Sequence, residues 1–187
     1  MLVLASASPR RRELLSRLVE RFEVVPAEVD ETPPEGKAGE EAAVAIAARK
    51  ALAVLARTGG TTLGADTNVV AADGEFLGKP RDAADARRIL AKLSGTTHRV
   101  VTGVALARGG DVVTAAATTF VTMRSLTGGE IDQYVASGEC FDKAGAYAIQ
   151  ETADRFVVRL EGSFSNVVGL PLEVVGPMLR AAGIVMR

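Results

Sequence analysis

The chain has 187 residues, of which 48% are hydrophobic and 24% are charged, and its formal net charge is −1. This length favours one domain, or two small lobes around one sheet, whose core forms without a disulfide or a metal. The nearly balanced charge and an isoelectric point of about 5.9 argue against a globally basic nucleic-acid-binding protein, so any anion-binding function must be local.

Cysteine usage and hydropathy indicate the compartment. Cys140 is the only cysteine, which excludes an intramolecular disulfide and fits a reducing cytosol. No long uncharged apolar stretch is present, and the first arginines follow an apolar segment rather than precede one, which is the wrong order for a signal peptide. We therefore expect a cytoplasmic protein without a membrane-spanning segment.

The first predicted elements alternate between strand and helix. Residues 2–5 predict a short buried strand, and Pro9 to about Glu20 a helix. RFEVVPAEV predicts a second strand, which ends in an acidic, proline-containing loop. EEAAVAIAARKALAVLAR is composed of good helix formers with acidic residues at its start, so it predicts a long helix.

The middle of the chain predicts two hairpins separated by a helix. TTLGADTNVVAADGEFLGKP indicates strand, turn and strand, with the hairpin at Asp73-Gly74, and DAADARRILAKL indicates a helix with an aspartate cap. HRVVTGVALAR and DVVTAAATTFVTMR flank Gly109-Gly110. Because both runs are long and rich in β-branched residues, they predict an extended two-stranded hairpin.

The last third of the chain predicts short elements. TGGEIDQYVASGE indicates a short helix, residues 145–150 and 156–161 indicate strands, and LPLEVVGPMLRAAG indicates a closing helix interrupted by Pro177. The mixed order of helices and strands predicts an α/β or α+β domain with a mixed sheet rather than a regular βαβ array.

Three arginines lie at the predicted start of the first helix, in LASASPRRRELL. Ser8 is a natural N-cap and Pro9 suits the first helical position. Arg10, Arg11 and Arg12 then fall in the first turn, where the helix dipole disfavours each exposed cation by about 0.3–1 kcal/mol. Either the side chains splay into water as a solvated patch, or the helix start binds a phosphorylated ligand, which would make the crowding favourable.

A second candidate site is the carboxylate of GADTNVV. Asp66 is predicted at a strand end after small residues, where a carboxylate commonly acts as a metal ligand or a general base. The alternative is a turn aspartate that binds its own backbone. Lys79 of LGKP can return to the same end through the Asp73-Gly74 hairpin and present a point charge to phosphate oxygens.

Other polar residues have simpler interpretations. In FDKAGAYAIQ, the Asp142–Lys143 pair is typical of solvated surface charge, and Gln150 of a polar strand end. His98 is expected to be structural, and Cys140, which has no partner base that the sequence reveals, to be inert.

Five segments together indicate a family, although each segment alone would be weak evidence. In chain order they are LASASPRRRELL, GADTNVV, GKPRDAADARRILAKLSGTTHRVVTGVAL, DKAGAYAIQ and VVGLPL. Over Leu4 to about Leu172 the chain resembles the Maf family of nucleoside triphosphate pyrophosphatases. The resemblance implies that residues 1–187 form a single Maf-like domain. It also implies an elongated mixed β-sheet flanked by helices, with two lobes, a central cleft and a fold similar to that of the inosine triphosphatases.

The resemblance also implies an activity, which is the hydrolysis of nucleoside triphosphates to the monophosphate and pyrophosphate with a divalent metal. In the branch that acts on dTTP and UTP, the aspartate of the GADT motif is the proton acceptor, and it matches Asp66. The other matching positions are Arg11, Thr67 and Gln150 for substrate choice, Ser6, Arg10, Lys50 and Lys79 around the phosphates, and Glu31 near the metal.

The chemistry of these residues agrees with that activity. The candidate metal ligands, Glu31 and Asp66, are hard oxygen donors and no Cys/His cluster is present, so Mg²⁺ or Mn²⁺ is expected. Asp66 can take the proton of the attacking water or hold the metal that acidifies it. The carboxamide of Gln150 can both donate to and accept from the edge of uracil or thymine.

Two departures from the branch pattern concern the base. The branch usually reads GAYGIQG, whereas Ala148 and Glu151 replace its last two glycines here. A different base, such as 7-methyl-GTP, is therefore an alternative, as is a non-catalytic nucleotide- or nucleic-acid-binding regulator of septum formation. Similar proteins are often dimers, and the hairpin from His98 to Arg124 offers a contact for a homodimer.

Overall fold

The computed structural model describes residues 1–150 and 152–187, and these form a mixed sheet flanked by helices. The strands are β1 (Leu2–Ala5), β2 (Glu23–Val24), β3 (Thr61–Val70), β4 (Phe76–Leu77), β5 (Thr97–Arg108), β6 (Asp111–Met123) and β7 (Val157–Glu161). The α-helices are α1 (Pro9–Ser16), α2 (Gly39–Thr58), α3 (Ala83–Leu93), α4 (Gly128–Ala136), α5 (Phe164–Val168) and α6 (Leu172–Ala181). Two 3₁₀ turns span Ala144–Ala146 and Thr152–Phe156. This architecture confirms the predicted fold class.

The sheet has the order β2-β1-β3-β5-β6-β7, and one edge of β3 is interrupted. On that edge, β1 pairs in parallel with β3 as far as Gly64, and β4 pairs with Val69 and Val70. Strand β5 occupies the whole opposite edge. Residues 65–68 of β3 therefore lie in a gap between β1 and β4, and side chains from both faces of the sheet can reach this gap.

Helix α2 packs directly on the sheet because glycines face it. A Cβ atom at Gly64 would lie 2.2 Å from the Ala47 carbonyl oxygen, and one at Gly103 would lie 2.3 Å from the Ala43 carbonyl carbon. Alanines on the helix and glycines on β3 and β5 thus allow backbone-to-backbone packing. The contact brings Lys50, one turn after Ala47, onto the gap in the sheet.

The opposite face of the sheet carries two hydrophobic clusters. Along β3, Leu63 and Ala65 belong to the cluster that includes α1 and α6, whereas Val69 belongs to the cluster that includes α3 and α4. Thr67 lies between them. Its partner on β5 is Thr102, so a polar band separates the two apolar regions at the level of the gap.

Several predicted boundaries were wrong. Helix α1 ends at Ser16 rather than near Glu20, because its last turn tightens into i→i+3 hydrogen bonds. The second strand is limited to Glu23–Val24, since Pro26 has no N–H with which to continue the ladder. Helix α6 continues through Pro177, and its buried Val175 and Leu179 hold both halves against the core.

The predicted strand over residues 145–150 does not form. Gly145 and Ala146 have φ values of 73° and 60°, which are incompatible with an extended strand. The Gly145 N–H donates to the Gly78 carbonyl oxygen at 3.1 Å, and a Cβ atom there would lie 2.9 Å from Val69. Packing against β3 therefore selects a tight turn in this segment. Strand β7, by contrast, confirms the prediction over residues 156–161.

Candidate active site

A cavity of about 390 Å³ opens at the gap in the sheet. It is bounded by the end of β1, the start of α1, the exposed edge of β3 and the segments that precede β7 and follow α5. The structure brings every predicted site residue to its lining, namely Ser6, Arg10, Arg11, Glu31, Lys50, Asp66, Thr67, Lys79 and Gln150. Their individual roles stay predictions.

The start of α1 forms one wall of the cavity. Ser8 is the N-cap, as predicted, and its hydroxyl accepts a hydrogen bond from the Arg11 N–H at 3.4 Å. The Ser6 hydroxyl accepts from the Ser8 N–H at 3.2 Å, so both serines shape the turn. Arg10 is half-buried and lines the cavity, whereas Arg12 is exposed and is absent from the lining. Arg12 therefore matches the predicted alternative of a solvated side chain, whereas Arg10 and Arg11 line the cavity.

A charge triad of the buried Lys50 and Asp66 and the exposed Glu31 lies on the α2 side of the gap. Lys50 is 5% exposed and Asp66 is 6% exposed. The Lys50 ammonium donates to Asp66 Oδ1 at 2.8 Å and contacts Glu31 Oε1 at 3.0 Å. With its amide nitrogen facing the carboxylate, Asn68 also donates to Asp66 Oδ2, at 3.1 Å. Asp66 is thus held at both oxygens, and it lies in the middle of β3 rather than at the predicted strand end. This position also excludes the predicted alternative of a turn aspartate that binds its own backbone.

Two further lysines line the cavity. Lys79 follows β4 and is exposed, so its ammonium can move towards a ligand. Lys143 is 7% exposed and donates to Asp142 Oδ1 at 2.7 Å, and Asp142 Oδ2 lies 3.6 Å from Arg10 Nη1. The interpretation of Lys143 as solvated surface charge was wrong. The Lys143 ammonium also donates to the Glu139 carbonyl oxygen, a contact that the sequence pattern did not reveal.

The guanidinium of Arg11 crosses the cavity floor. Its Nε donates to the Gly169 carbonyl oxygen at 2.8 Å, Nη2 donates to Thr67 Oγ1 at 3.0 Å, and Nη1 donates to Ser6 Oγ at 3.3 Å. Burial lowers the pKa of Arg11, and the nearby carboxylates of Asp66 and Glu31 oppose that shift. The side chain therefore joins α1, β3 and the loop after α5 rather than pointing freely at a ligand.

The far end of the cavity is mostly apolar. Its walls include Val69, Val100, Tyr147, Ile149 and Val167. An apolar lining with few polar groups is typical of a small-molecule binding site. The cavity thus has charged groups from α1 on one face of the sheet and from α2 on the other, and its apolar part lies on the face opposite α2.

The AYAIQ segment borders the apolar end. Gln150 is exposed at the rim, and Ala148 is 9% exposed in the wall. Among the described residues, Ala146 is the only non-glycine residue with a positive φ, so Ala148 adds no backbone strain. Glu151, the second departure from the branch pattern, lies outside the described residues.

A buried histidine supports this segment from below. His98 Nε2 and the Tyr147 hydroxyl are 2.7 Å apart, and their rings meet edge to face. Burial lowers the pKa of His98 to about 4 and raises that of Tyr147. His98 is therefore neutral and fixes Tyr147 in the cavity wall. Burial also raises the pKa of the Cys140 thiol.

The cavity offers two carboxylates, those of Glu31 and Asp66, to a hard divalent metal. Among the described residues, no group of three or more His, Cys, Asp or Glu side chains is arranged to hold a metal. Mg²⁺ is, however, commonly bound by one or two carboxylates together with substrate phosphates and water. Glu31 and Asp66, both in contact with Lys50, are two carboxylates of this kind.

Cations around a helix start favour a phosphorylated ligand, and here they share one cavity with the buried carboxylate of Asp66. By fold and site, the chain is an α/β protein with the kind of cleft that binds such ligands. Residues 1–182 match the family described as Maf-like protein, and the chain belongs to this Maf family.

Named relatives cover nearly the whole chain. The dTTP/UTP pyrophosphatase of Myxococcus xanthus is 52% identical over 185 residues, which are 98% of this chain and 93% of the relative. The dTTP/UTP pyrophosphatase of Thermococcus gammatolerans is 49% identical over 179 residues, which are 94% of this chain and 93% of the relative.

Solved structures share the fold at low identity. The Ham1 protein of Staphylococcus aureus is similar with a TM-score of 0.56 and 16% identity, over 97% of this chain and 98% of that one. A HAM1 protein from Coxiella burnetii gives a TM-score of 0.55 and 17% identity, over 96% and 98% of the two chains.

In the described part of this chain, no helix combines the length and the apolar character needed to span a bilayer.

Proposed function

We propose that this protein hydrolyses nucleoside triphosphates, with dTTP and UTP preferred, to the nucleoside monophosphate and pyrophosphate. The observation that carries the proposal is one cavity in which a cationic helix start faces the Lys50–Asp66 pair and an apolar pocket adjoins both. The names of the relatives from Myxococcus xanthus and Thermococcus gammatolerans support the same reaction.

Charge stabilisation accounts for the main catalytic effect. Water attacks the α-phosphorus, the bond from this phosphorus to the bridging oxygen breaks, and pyrophosphate leaves. Negative charge therefore grows on the β- and γ-phosphates. Arg10, the positive end of the α1 dipole and Lys79 supply positive potential for that charge, which is the usual route to phosphoryl transfer.

Asp66 accepts the proton of the attacking water. Its carboxylate borders the cavity, and Lys50 and Asn68 restrain both oxygens. Restraint of a general base in one orientation lowers the reorganisation that proton transfer requires. Lys50 is buried and bridges Asp66 and Glu31, so it keeps two carboxylates close to each other without net repulsion.

A divalent metal, Mg²⁺ or Mn²⁺, would be held by Glu31 and Asp66 together with phosphate oxygens. When bound, it supplies charge neutralisation to the phosphates and lowers the pKa of a coordinated water. The hard carboxylate oxygens at this position support that choice.

Base preference depends on the apolar end of the cavity. Gln150 at the rim offers a donor and an acceptor to a pyrimidine edge, and Ala148 contributes a small side chain to the wall.

We also expect the protein to act in the cytoplasm as a single Maf-like domain, and the hairpin of β5 and β6 remains the expected contact of a homodimer.

A nucleotide panel tests the proposed reaction. Purified protein is incubated with Mg²⁺ or Mn²⁺ and each of dTTP, UTP, CTP, dATP, GTP and 7-methyl-GTP, and the products are identified by chromatography. We expect monophosphate and pyrophosphate, with the highest kcat/KM for dTTP and UTP. Preference for 7-methyl-GTP would change the assigned base. Tight binding without turnover with either metal would instead support a non-catalytic regulator.

The role of Asp66 is tested by the Asp66→Asn variant. The amide keeps the shape but cannot accept the proton, so we expect kcat to fall by about 10²–10⁴-fold. Asp132→Asn, a surface carboxylate paired with Arg87, is the matched control and should retain wild-type turnover. Both variants should keep the wild-type circular dichroism spectrum. Unchanged turnover in Asp66→Asn would refute the assigned proton acceptor.

A further inference from the structure

A closed ring of hydrogen bonds lies beneath the cavity floor. Arg11 Nη2 donates to Thr67 Oγ1 at 3.0 Å, and the Thr67 and Thr102 hydroxyl oxygens are 2.9 Å apart. Thr102 donates to the Asn166 carbonyl oxygen at 3.0 Å, and this oxygen also accepts from the Gly169 N–H at 3.0 Å. The Gly169 carbonyl oxygen accepts from Arg11 Nε at 2.8 Å, which closes the ring.

The direction of each bond in the ring is determined. The Thr102 hydroxyl has one hydrogen, which it gives to the Asn166 carbonyl, so the Thr67 hydroxyl must donate to Thr102. The Thr67 oxygen is then free to accept from Arg11. Loss of the Thr102 hydroxyl would leave the Thr67 hydroxyl without its acceptor and the Asn166 carbonyl without one of its donors.

Two members of the ring do not line the cavity. Thr102 and Asn166 are both 0% exposed, whereas Arg11, Thr67 and Gly169 line the cavity wall. The Asn166 side-chain amide donates to the Val100 carbonyl oxygen at 3.0 Å and to Thr119 Oγ1 at 2.9 Å. Asn166 therefore fastens the segment that carries Gly169 to strands β5 and β6.

We propose that Thr102 and Asn166 are positioning residues, which hold Arg11 and Thr67 on the cavity face opposite Lys50 and so set discrimination between bases. Arg11 is anchored from two sides, through Thr67 on β3 and through Gly169 after α5. Both anchors converge on the Asn166 carbonyl. Thr67 lies beside Val69 and Val100, which line the apolar part of the cavity, so a shift of Thr67 and Arg11 alters contacts to the ring of the substrate. This inference rests on the proposed function.

Thr102→Val tests the proposal, because valine keeps the shape of threonine and removes the hydroxyl. We expect the ratio of kcat/KM for dTTP to that for dATP to fall about tenfold, with KM for dTTP rising more than kcat changes. Thr102→Ser restores the hydroxyl and should restore the ratio. The matched control is Thr62→Val, since Thr62 is also 0% exposed but its hydroxyl donates only to the Gly60 carbonyl.

A second readout uses the free protein and needs no turnover. The hydrogen-exchange rate of Arg11 Nε–H is measured by NMR, with its signal assigned by loss in Arg11→Lys. We expect exchange to be at least tenfold faster in Thr102→Val than in the wild-type protein, Thr102→Ser or Thr62→Val. If Thr102→Val fails to fold, Thr102→Ala is measured in its place.

The two readouts separate the inference from the proposed function. A dTTP-to-dATP ratio and an Arg11 exchange rate that are the same in Thr102→Val and Thr62→Val would overturn the positioning role. If the wild-type protein hydrolyses no nucleotide, the proposed function fails, and the exchange rate alone decides whether Thr102 holds Arg11.

Discussion

At the scale of single residues, the three opening arginines have different environments. Arg10 faces the cavity, Arg11 is bound to backbone and hydroxyl oxygens, and Arg12 is exposed. Positive charge at a helix start is unfavourable in isolation. Hydrogen-bond acceptors on β3 and in the loop after α5 compensate the positive charge of Arg11. The positive charge of Arg10 is compensated by Asp142 and, in the proposed function, by phosphate.

His98 provides a residue-scale prediction because it is the only histidine. Its pKa is about 4 in the folded protein against 6.5 for the free side chain, so the unfolded state binds a proton first as the pH falls. This histidine therefore contributes stability above pH 6.5 that is lost between pH 6.5 and 4. From pH 8 to pH 5 we expect the free energy of unfolding to fall by about 2 kcal/mol more in the wild-type protein than in His98→Gln.

Urea unfolding at several pH values measures this difference. The common titration of the carboxylates cancels between the two proteins, which leaves the contribution of His98. Glutamine can still accept from the Tyr147 hydroxyl, so the variant keeps a partner for it. Parallel pH dependences in the two proteins would show that His98 is not buried in a neutral form.

Residue identities in the site were predictable, but their connections were not. The resemblance to the Maf family brought Ser6, Lys50 and Asp66 into one hypothesis, and the structure brings them to one cavity. Neither the burial of Lys143 nor the link from Thr102 to Asn166 has a local signature. Each depends on a tertiary contact between elements that are far apart in the sequence.

At the scale of elements, long periodic segments were predictable and short ones were not. The pattern predicted α2, α3 and the hairpin of β5 and β6 with small boundary errors. The five-residue α5 was missed, because so short a helix has almost no periodicity. The segment over residues 145–150 was mistaken for a strand, because the positive φ of Ala146 is imposed by its surroundings rather than by its side chain.

The packing of α2 gives an element-scale prediction. In Gly103→Ala the new Cβ atom would lie 2.3 Å from the Ala43 carbonyl carbon and the Val44 nitrogen, so the helix must move away from β5. Overpacking of this kind costs about 1–3 kcal/mol, and because backbone atoms meet here we expect more than about 2 kcal/mol. Turnover should fall as well, since α2 carries Lys50 to Asp66.

Chemical denaturation and steady-state kinetics measure these two effects. Gly129→Ala is the control, because Gly129 lies in α4 and has no atom within 4 Å of the added Cβ. Alanine there should leave stability unchanged or slightly raised. A Gly103→Ala protein as stable and active as Gly129→Ala would contradict the close packing of α2 on the sheet.

At the scale of the whole molecule, the gap in the sheet organises the site. Strand β3 extends past the end of β1, so residues 65–68 present Asp66 to one face and Thr67 to the other. Two hydrophobic clusters hold the sheet on either side of the polar band. One cavity therefore contains a charged end suited to phosphates and an apolar end suited to a base, although the chain has a net charge of only −1.

The most direct test of this account is the position of bond cleavage. UTP is hydrolysed by the wild-type protein with Mg²⁺ in water enriched in ¹⁸O, and the products are analysed by mass spectrometry. Attack on the α-phosphorus, with pyrophosphate leaving towards Arg10 and α1, predicts one ¹⁸O atom in UMP and none in pyrophosphate. Label in pyrophosphate, or release of single phosphate groups from UTP, would contradict the account.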